Sequence, residues 1–484
     1  MSRPRTVPVH ALAAGAMALL IASLGSPAAA QDRPSLSALP PEVNSLVMRL
    51  GEPQIGFMAP LVARTPQAWK PEQLQAFRER LAKAVLAHPE VLAVSAARGA
   101  AQFGIREAQA ARLPQVSSQI DNGHKYSSAN SLLGTPERDY RTAGLSVTVR
   151  QLLYDFGATP RNIEAMSAKE RQAFFRQMQV RDEVALRAVQ AYHDLVRART
   201  QLELARRNEE ARTSIVDLVR QRSDIGGGTQ SDVVRAQSRL ADATATTASA
   251  MQRLGVARAA YRELFSTDSD LPADAPVFDI PLDSGIASQQ PQIVEDTWKV
   301  RQALAGRAAV EAEMAAVRGR SLPSINLELS ATRRDLVGPA NPGTDRSVML
   351  VAKQSLYAGG ADSARIDAAS QKLLQSSEEL ESARREAARV LDQVLLEAES
   401  QERLMESRAN TARLAAESLK MVREQYAYRR GTLLDLLTAQ ETLYSAGRDL
   451  IDSQLDQAMS RYRVLNAASR LSQFVGTEGT APAP

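Results

Sequence analysis

Cysteine is absent from all 484 residues, which excludes disulfides and thiolate metal sites. Histidine is almost as scarce: beyond the N-terminal segment only His88, His124 and His193 occur, at spacings that fit no metal site. There is no nucleophile elbow. Gly226-Gly227-Gly228 lacks the Lys-Ser/Thr pair of a phosphate loop and reads as a hairpin turn. His193-Asp194 is a neighbouring pair on a helix, and Glu378, Glu379 and Glu381 form a solvated helix face. The chain therefore reads as a non-enzyme without cofactor or metal. After the N-terminal segment, no stretch approaches the ~18 apolar residues of a membrane-spanning helix. The net charge of +4 and pI near 9.3 come from Arg and Glu interspersed along the chain, so nucleic acid is not an expected partner.

Proline is missing from two long stretches, 111 residues between Pro160 and Pro272 and 139 between Pro342 and Pro482. It crowds instead into 34–71 and 272–291. Because proline breaks helix interiors, the two gaps are where very long helices can form. At the N-terminus, Arg3, Arg5 and His10 precede an apolar run from Ala11 to Leu24, and Ala28-Ala29-Ala30 supplies a small-residue cleavage site. That is the pattern of a secretory signal peptide over 1–30. With Gln31 as first mature residue and no cysteine, an N-terminal lipid is excluded.

What is present is a duplication. Gly228-Thr229-Gln230-Ser231-Asp232 through Leu240 returns as Gly431-Thr432-Leu433-Leu434-Asp435 through Leu443, identical at six of 13 positions and offset by 203. Gln151-Leu152-Leu153-Tyr154-Asp155-Phe156-Gly157-Ala158 returns as Gln354-Ser355-Leu356-Tyr357-Ala358-Gly359-Gly360-Ala361 at the same offset. One unit of about 200 residues is thus repeated, far longer than a solenoid repeat.

In the first copy, Val184, Ala188, Ala191, Leu195, Ala198, Leu202 and Ala205 form a coiled-coil seam, and Ala185, Val189, Tyr192 and Val196 a second one beside it; the second copy repeats the stripe in Ala387, Leu391, Val394 and Ala398. Two adjacent seams predict a helix packed on two neighbours. At 1.5 Å per residue, helices over 161–225 and 361–429 run roughly 97 and 103 Å. Return helices over 229–265 and 433–474, with helices over 290–320 and 78–112, run roughly 54, 63, 47 and 52 Å. Long helices lying beside stacked pairs of short ones predict a tube about 100 Å long. Pro89 to Pro114 spans 25 residues and Pro291 to Pro323 spans 32. The difference is two helical turns, which predicts one helix of unchanged heptad phase across 290–320.

Four short segments read as strands, at about 115–127, 142–153, 323–333 and 346–357: the second and third alternate apolar and polar residues with period two, the first does so more weakly, and Val348 to Ala352 of the fourth is apolar almost throughout. Polar loops, Ser128–Arg141 and Arg333–Arg346, join each pair. Four strands cannot close a barrel, so either the chain oligomerises or the strands form a modest soluble sheet.

The signal peptide, the duplicated strand–strand–long helix–turn–helix unit, the Leu-Tyr-Asp-Phe-Gly block and the Gly-Thr-x-x-Asp turns together resemble the TolC family of outer-membrane channel proteins, over about 78–475. The resemblance implies a mainly α fold with a small β part: a homotrimer whose four transmembrane strands per chain complete a 12-stranded barrel, continuous with an α-helical tunnel. It implies export of small molecules or polypeptides across the outer membrane of a Gram-negative bacterium, in contact with outer-membrane lipid. The partners implied are a periplasmic adaptor protein and an inner-membrane transporter. The missing lipidation site and the Leu-Tyr-Asp-Phe-Gly block favour type I protein secretion. The alternative is a soluble periplasmic coiled-coil scaffold without a pore. The expected organisation is a signal peptide (1–30), an N-terminal periplasmic extension (31–77), a first repeat (78–270), a Pro-rich linker at mid-height (271–289), a second repeat (290–476) and a tail (477–484).

The resemblance also places Gly228, Thr229, Asp232, Tyr428, Gly431, Thr432 and Asp435 at a periplasmic tip that closes the tunnel. Asp435 would form a threefold carboxylate ring, weaker than in relatives with a second acid because Thr438 stands one turn later. Tyr428 would latch onto the neighbouring hairpin through Asp232. Thr229-x-x-Asp232 and Thr432-x-x-Asp435 also read as capping boxes, a role compatible with gating. Arg150 and Lys353 occupy equivalent polar-face positions and would place cations in the barrel lumen. Tyr154 and Tyr357, at equivalent strand–helix junctions, are candidates for an interfacial aromatic girdle or for turn packing.

Overall fold

The structure, a computed structural model, describes residues 71–127, 138–265, 277–278, 280, 284–334, 343–428 and 430–477. The chain divides into two units, Met1–Arg49 and Leu50–Pro484. The first unit, including the expected signal peptide, lies outside the described residues, as do most of the linker and tail and much of the strand-joining loops. Helices α1 (Pro71–Ala87) and α2 (Pro89–Ala110) lead into strands β1 (Gln115–Ser127) and β2 (Arg138–Tyr154). Helix α3 (Ala158–Asp224) and its return helix α4 (Gln230–Phe265) complete the first copy. Short helices α5 (Ser284–Ser288) and α6 (Gln290–Asp296) precede α7 (Trp298–Arg320), β3 (Ser324–Arg333), β4 (Thr344–Lys353), α8 (Ala361–Ala427), α9 (Leu433–Ala467) and α10 (Leu471–Val475).

Several expected boundaries move, each for a local reason. Helix α3 starts at Ala158 rather than 161, because proline is tolerated in a first turn and Asp155 accepts the amides of Ala158 (3.1 Å) and Thr159 (2.7 Å). The helix expected over 78–112 begins at Pro71 and breaks at His88, whose extended backbone and ring Nδ1 cap α2 ahead of Pro89. The single helix expected across 290–320 also breaks, at extended Thr297. The extra two turns form α6 on their own, and α7 (23 residues) matches α2 (22 residues). The helix expected over 433–474 stops at Ala467, and Ser469, at φ +57°, separates it from α10. Helix α8 ends at Ala427, not 429.

The sheet is antiparallel in the order β1-β2-β3-β4. Residues paired directly opposite share a face. Val116, Val149, Leu329 and Val348 therefore lie on one face, and Gln115, Arg150, Glu328 and Met349 on the other. The apolar face is uncovered: Val116, Ile120, Val348 and Leu350 are each at least 69% exposed. A bulge between Leu152 and Tyr154 lets β2 pair as far as Ile325. Strand β4 stops at Lys353 instead of 357, because the equivalent stretch has no strand beyond it to pair with.

Helices α3 and α8 have 67 residues each, roughly 100 Å. Against α3 pack α2 and α7 on the side towards the sheet and α4 and α9 on the side towards the Gly-Thr turns, while α8 packs on α7 and α9. Both expected seams of α3 are buried, from Val184 to Ala205 and from Ala185 to Val196. Near the sheet the helices approach closely: a Cβ on Gly319 of α7 would lie 2.9 Å from the Ala158 nitrogen of α3. At mid-height the unbroken α3 passes the broken helices. Its buried Asp182 accepts the Trp298 indole N–H (2.8 Å) and the Ser472 amide (2.7 Å), tying α7 and α10 to it. One helical step on, Arg187 pairs with Glu90 of α2.

Candidate functional site

At the tip, each turn is closed by the same device. Thr432 Oγ accepts the Asp435 amide (3.2 Å) while Asp435 Oδ2 accepts the Thr432 amide (3.2 Å) and hydroxyl (2.7 Å). In the first copy the three distances are 3.2, 3.4 and 2.8 Å between Thr229 and Asp232. These are capping boxes, satisfying orphan amides at the start of α4 and α9. The Thr432 hydroxyl, then its amide, hold the Asp435 carboxyl below its ordinary pKa. Glycine is required where the chain doubles back. A Cβ on Gly228 would meet the Ser223 amide nitrogen at 3.3 Å, and one on Gly431 that of Tyr426 at 3.2 Å.

Tyr428 ends α8, its amide bonded to the Glu424 carbonyl at 3.0 Å, and its ring is partly exposed. Within one chain no hydrogen bond joins it to Asp232. The two tip turns are instead linked by Arg222, whose guanidinium stacks 4.9 Å over the buried Tyr426 ring while its Nε donates to the Gly227 carbonyl (3.0 Å). Arg222 and Tyr426 are thus tip residues that motif reading missed. The positions lie in different repeats, and no local spacing links them.

On the polar face of the sheet, Arg150 and Lys353 converge on one acid. Glu328 sits 2.8 Å from Arg150 and 3.7 Å from Lys353, so three strands meet at one carboxylate. Glu328 was legible as a polar-face position of β3 but carried no motif. The hydroxyls of Ser330 and Ser347 meet at 2.7 Å, and a Cβ on Gly144 would lie 2.8 Å from the Asp121 carboxylate. At the junctions, Tyr154 packs edge-on against Phe156 (4.8 Å). Phe156 holds φ +52°, where the second copy has Gly359 at +63°. Tyr357 is 89% exposed, so turn packing does not account for it.

Two buried titrating groups lie at mid-height. Burial pushes the Asp182 carboxyl up to about 6, opposed by its bonds from Ser472 and Trp298. His193 is enclosed by Phe77, Tyr192 and Tyr462 and donates Nδ1–H to the Val189 carbonyl (2.8 Å), and burial lowers its pKa to about 4. Among the described residues no group of His, Asp or Glu could hold a metal ion, and no helix is long and apolar enough to cross a membrane.

The described residues thus combine an amphipathic four-stranded sheet, charged on its polar face, with helices roughly 100 Å long. The sequence matches the outer membrane efflux protein family over residues 81–265 and 292–476, one match per copy, and the chain belongs to that family. It is an outer-membrane channel protein of a Gram-negative bacterium, not an enzyme. The outer membrane efflux protein BepC of Brucella suis biovar 1 (strain 1330) is 29% identical over 361 residues, spanning 70% of this chain and 75% of BepC. The fold is shared with CusC (TM-score 0.72, 17% identity, 82% of this chain and 92% of that one). It is shared too with VceC of Vibrio cholerae (0.71, 17%, 81% and 96%) and MtrE of Neisseria gonorrhoeae (0.70, 20%, 82% and 89%).

Proposed function

We propose that three copies of this chain form one export duct, twelve strands closing a barrel across the outer membrane and the helices continuing it as a tunnel through the periplasm. The observation that carries this is the pair of open sheet edges, β1 and β4. Lipid cannot satisfy unpaired strand edges, and four strands are too few to close. The apolar face then meets lipid, Tyr154 and Tyr357 sit at the interface, and Arg150, Lys353 and Glu328 line the lumen. A soluble scaffold would leave the leucines and valines of that face in water.

The tip turns gate this duct. They hold together through polar and stacking contacts, the low-stability linkage a gate requires. A periplasmic adaptor and an inner-membrane pump deliver the cargo, and the lack of a lipidated cysteine together with the Leu-Tyr-Asp-Phe-Gly block favours exported polypeptides. Mass measurement in detergent tests the assembly: a trimer is expected, and a stable folded monomer overturns it. Asp435→Ala tests the ring. Block of bilayer conductance by multivalent cations should weaken, alongside a stability loss of about 1 kcal/mol per chain from the lost cap. Unchanged block would leave capping as the whole role of Asp435.

A further inference from the structure

Where the sheet gives way to the helices, the chain encloses a recess of about 870 Å³. Helix α7 ends there at Arg320, β2 hands over to α3, and β4 stops at Lys353. Leu152, Asn326 and Lys353 form the sheet wall of the recess. Leu152 pairs with Asn326 and Ser324 with Lys353, in even steps along the strands from the pairing of Arg150 with Glu328. Residues an even step apart share a face, so the recess opens on the polar face of the sheet. Its volume falls within the roughly 300–1,000 Å³ of small-molecule sites.

Charge in this recess is unbalanced. Lys353 lies 3.7 Å from Glu328 Oε1, an oxygen that already accepts Arg150 Nε at 2.8 Å. Arg320 donates Nη2 to the neutral Asn162 Oδ1 (3.3 Å) and, among the described residues, forms no ion pair. The acid on the wall, Asp155, turns Oδ2 to the Thr159 amide (2.7 Å), where the start of α3 offsets its charge. Leu152 and Leu322 add apolar surface beside these groups.

The fold does not demand this set of residues. At the offset of the duplication Ala358 replaces Asp155 and Arg365 replaces Asn162. With Leu113-Pro114 aligned to Leu322-Pro323, Arg320 corresponds to Ala111. Yet α8 starts as α3 does, behind a glycine of positive φ, and runs the same 67 residues. Groups that the second junction does without are free to serve a ligand. An exposed guanidinium and ammonium attract a carboxylate, which arginine can hold in bidentate fashion, and the two leucines receive an apolar body.

We propose that the recess binds an acidic amphiphile passing through the duct, its carboxylate held by Arg320 and Lys353 and its apolar body laid against Leu152 and Leu322. This rests on the duct proposed above, whose lumen the polar face lines, and adds a class of small solute to its cargo.

Equilibrium dialysis of the detergent-solubilised channel tests the site, with naphthoate as the probe. Saturable binding at one naphthoate per chain is expected, with acetate competing weakly and naphthylmethylammonium not binding. Arg320→Gln with Lys353→Gln should weaken binding about tenfold or more, as expected for lost charge-assisted hydrogen bonds. Arg403→Gln, at an exposed cation of α8 outside the recess, should leave it unchanged. Arg320→Glu with Lys353→Glu should reverse the preference, taking the amine and rejecting the acid, a gain that misfolding cannot produce. Naphthoate should also lower the bilayer conductance of the unmodified channel and spare the double-glutamine variant. Equal binding of acid and amine, or equal loss in Arg403→Gln, overturns the site. No saturable binding in a channel of normal conductance overturns the site and leaves the duct standing. A protein that binds naphthoate yet conducts nothing overturns the duct, and with it the passage of the acid.

Discussion

Acidification should act on the mid-height core through two opposing groups, and removing one should expose the other. Folding raises the Asp182 pKa from 3.8 to about 6, so the folded state favours the neutral acid, and stability from this group grows as pH falls through 6. Folding lowers the His193 pKa from 6.5 to about 4, so its contribution is present above 6.5 and is lost as pH falls toward 4. Between pH 7.5 and pH 5, linkage gives a gain of about 1.4 kcal/mol from Asp182 and a loss of about 2 kcal/mol from His193. The net change for the unmodified chain is a loss of about half a kcal/mol. The groups lie three helical turns apart on α3, roughly 16 Å, so their effects should add. Relative to the unmodified chain over that interval, Asp182→Asn should lack the gain of about 1.4 kcal/mol, His193→Gln should lack the loss of about 2 kcal/mol, and the double variant should lack both. Guanidinium unfolding in detergent at both pH values, followed by tryptophan fluorescence, reads this region directly because the Trp298 indole bonds Asp182. An Asp182→Asn profile parallel to the unmodified one would refute the reasoning.

Two further substitutions separate rigid from adaptable packing. Gly319→Ala drives a Cβ against backbone atoms of Ala158 and should cost about 1–3 kcal/mol, whereas Gly306→Ala meets only the flexible Gln172 amide and should be near neutral; paired thermal melts distinguish them. Arg212 of α3 is buried, bonded to Glu441 (2.8 Å) and to the Leu437 carbonyl (3.3 Å) of α9. Glu441→Ala strands that guanidinium and should destabilise by about 1–3 kcal/mol, more than Arg212→Met, which removes the charge and keeps the volume; the reverse order in denaturant unfolding would contradict this.

The long helices were legible because proline is absent from them beyond the first turn and their alanine-rich seams repeat with helical period. The faces of β2 and β3 were legible from alternation, and the tip caps from Thr-x-x-Asp. The three mid-height breaks were not, although Pro89 marked one, because Thr297 and Ser469 take their conformations from contacts with α3 and its neighbours. Strand β4 ends at Lys353, short of the expected 357, because its end depends on a partner strand, which no pattern within the segment encodes. Arg222 on Tyr426 and Glu328 between two cations join residues from different repeats, so local motifs carried no trace of them.

Helix α3 is anchored near the sheet by Gly319 against Ala158 and at mid-height by Asp182, and beyond Asp182 it runs unbroken to Asp224, roughly 60 Å. Mechanically that is a fulcrum and a lever arm. A tilt of about three degrees at the fulcrum swings the far end through about 3 Å, given an arm of that length. The breaks in the companion helices, at His88, Thr297 and Ser469, sit beside this stretch of α3. A rotation small enough to leave every mid-height hydrogen bond in place thus becomes, at the tip, a displacement as long as a hydrogen bond.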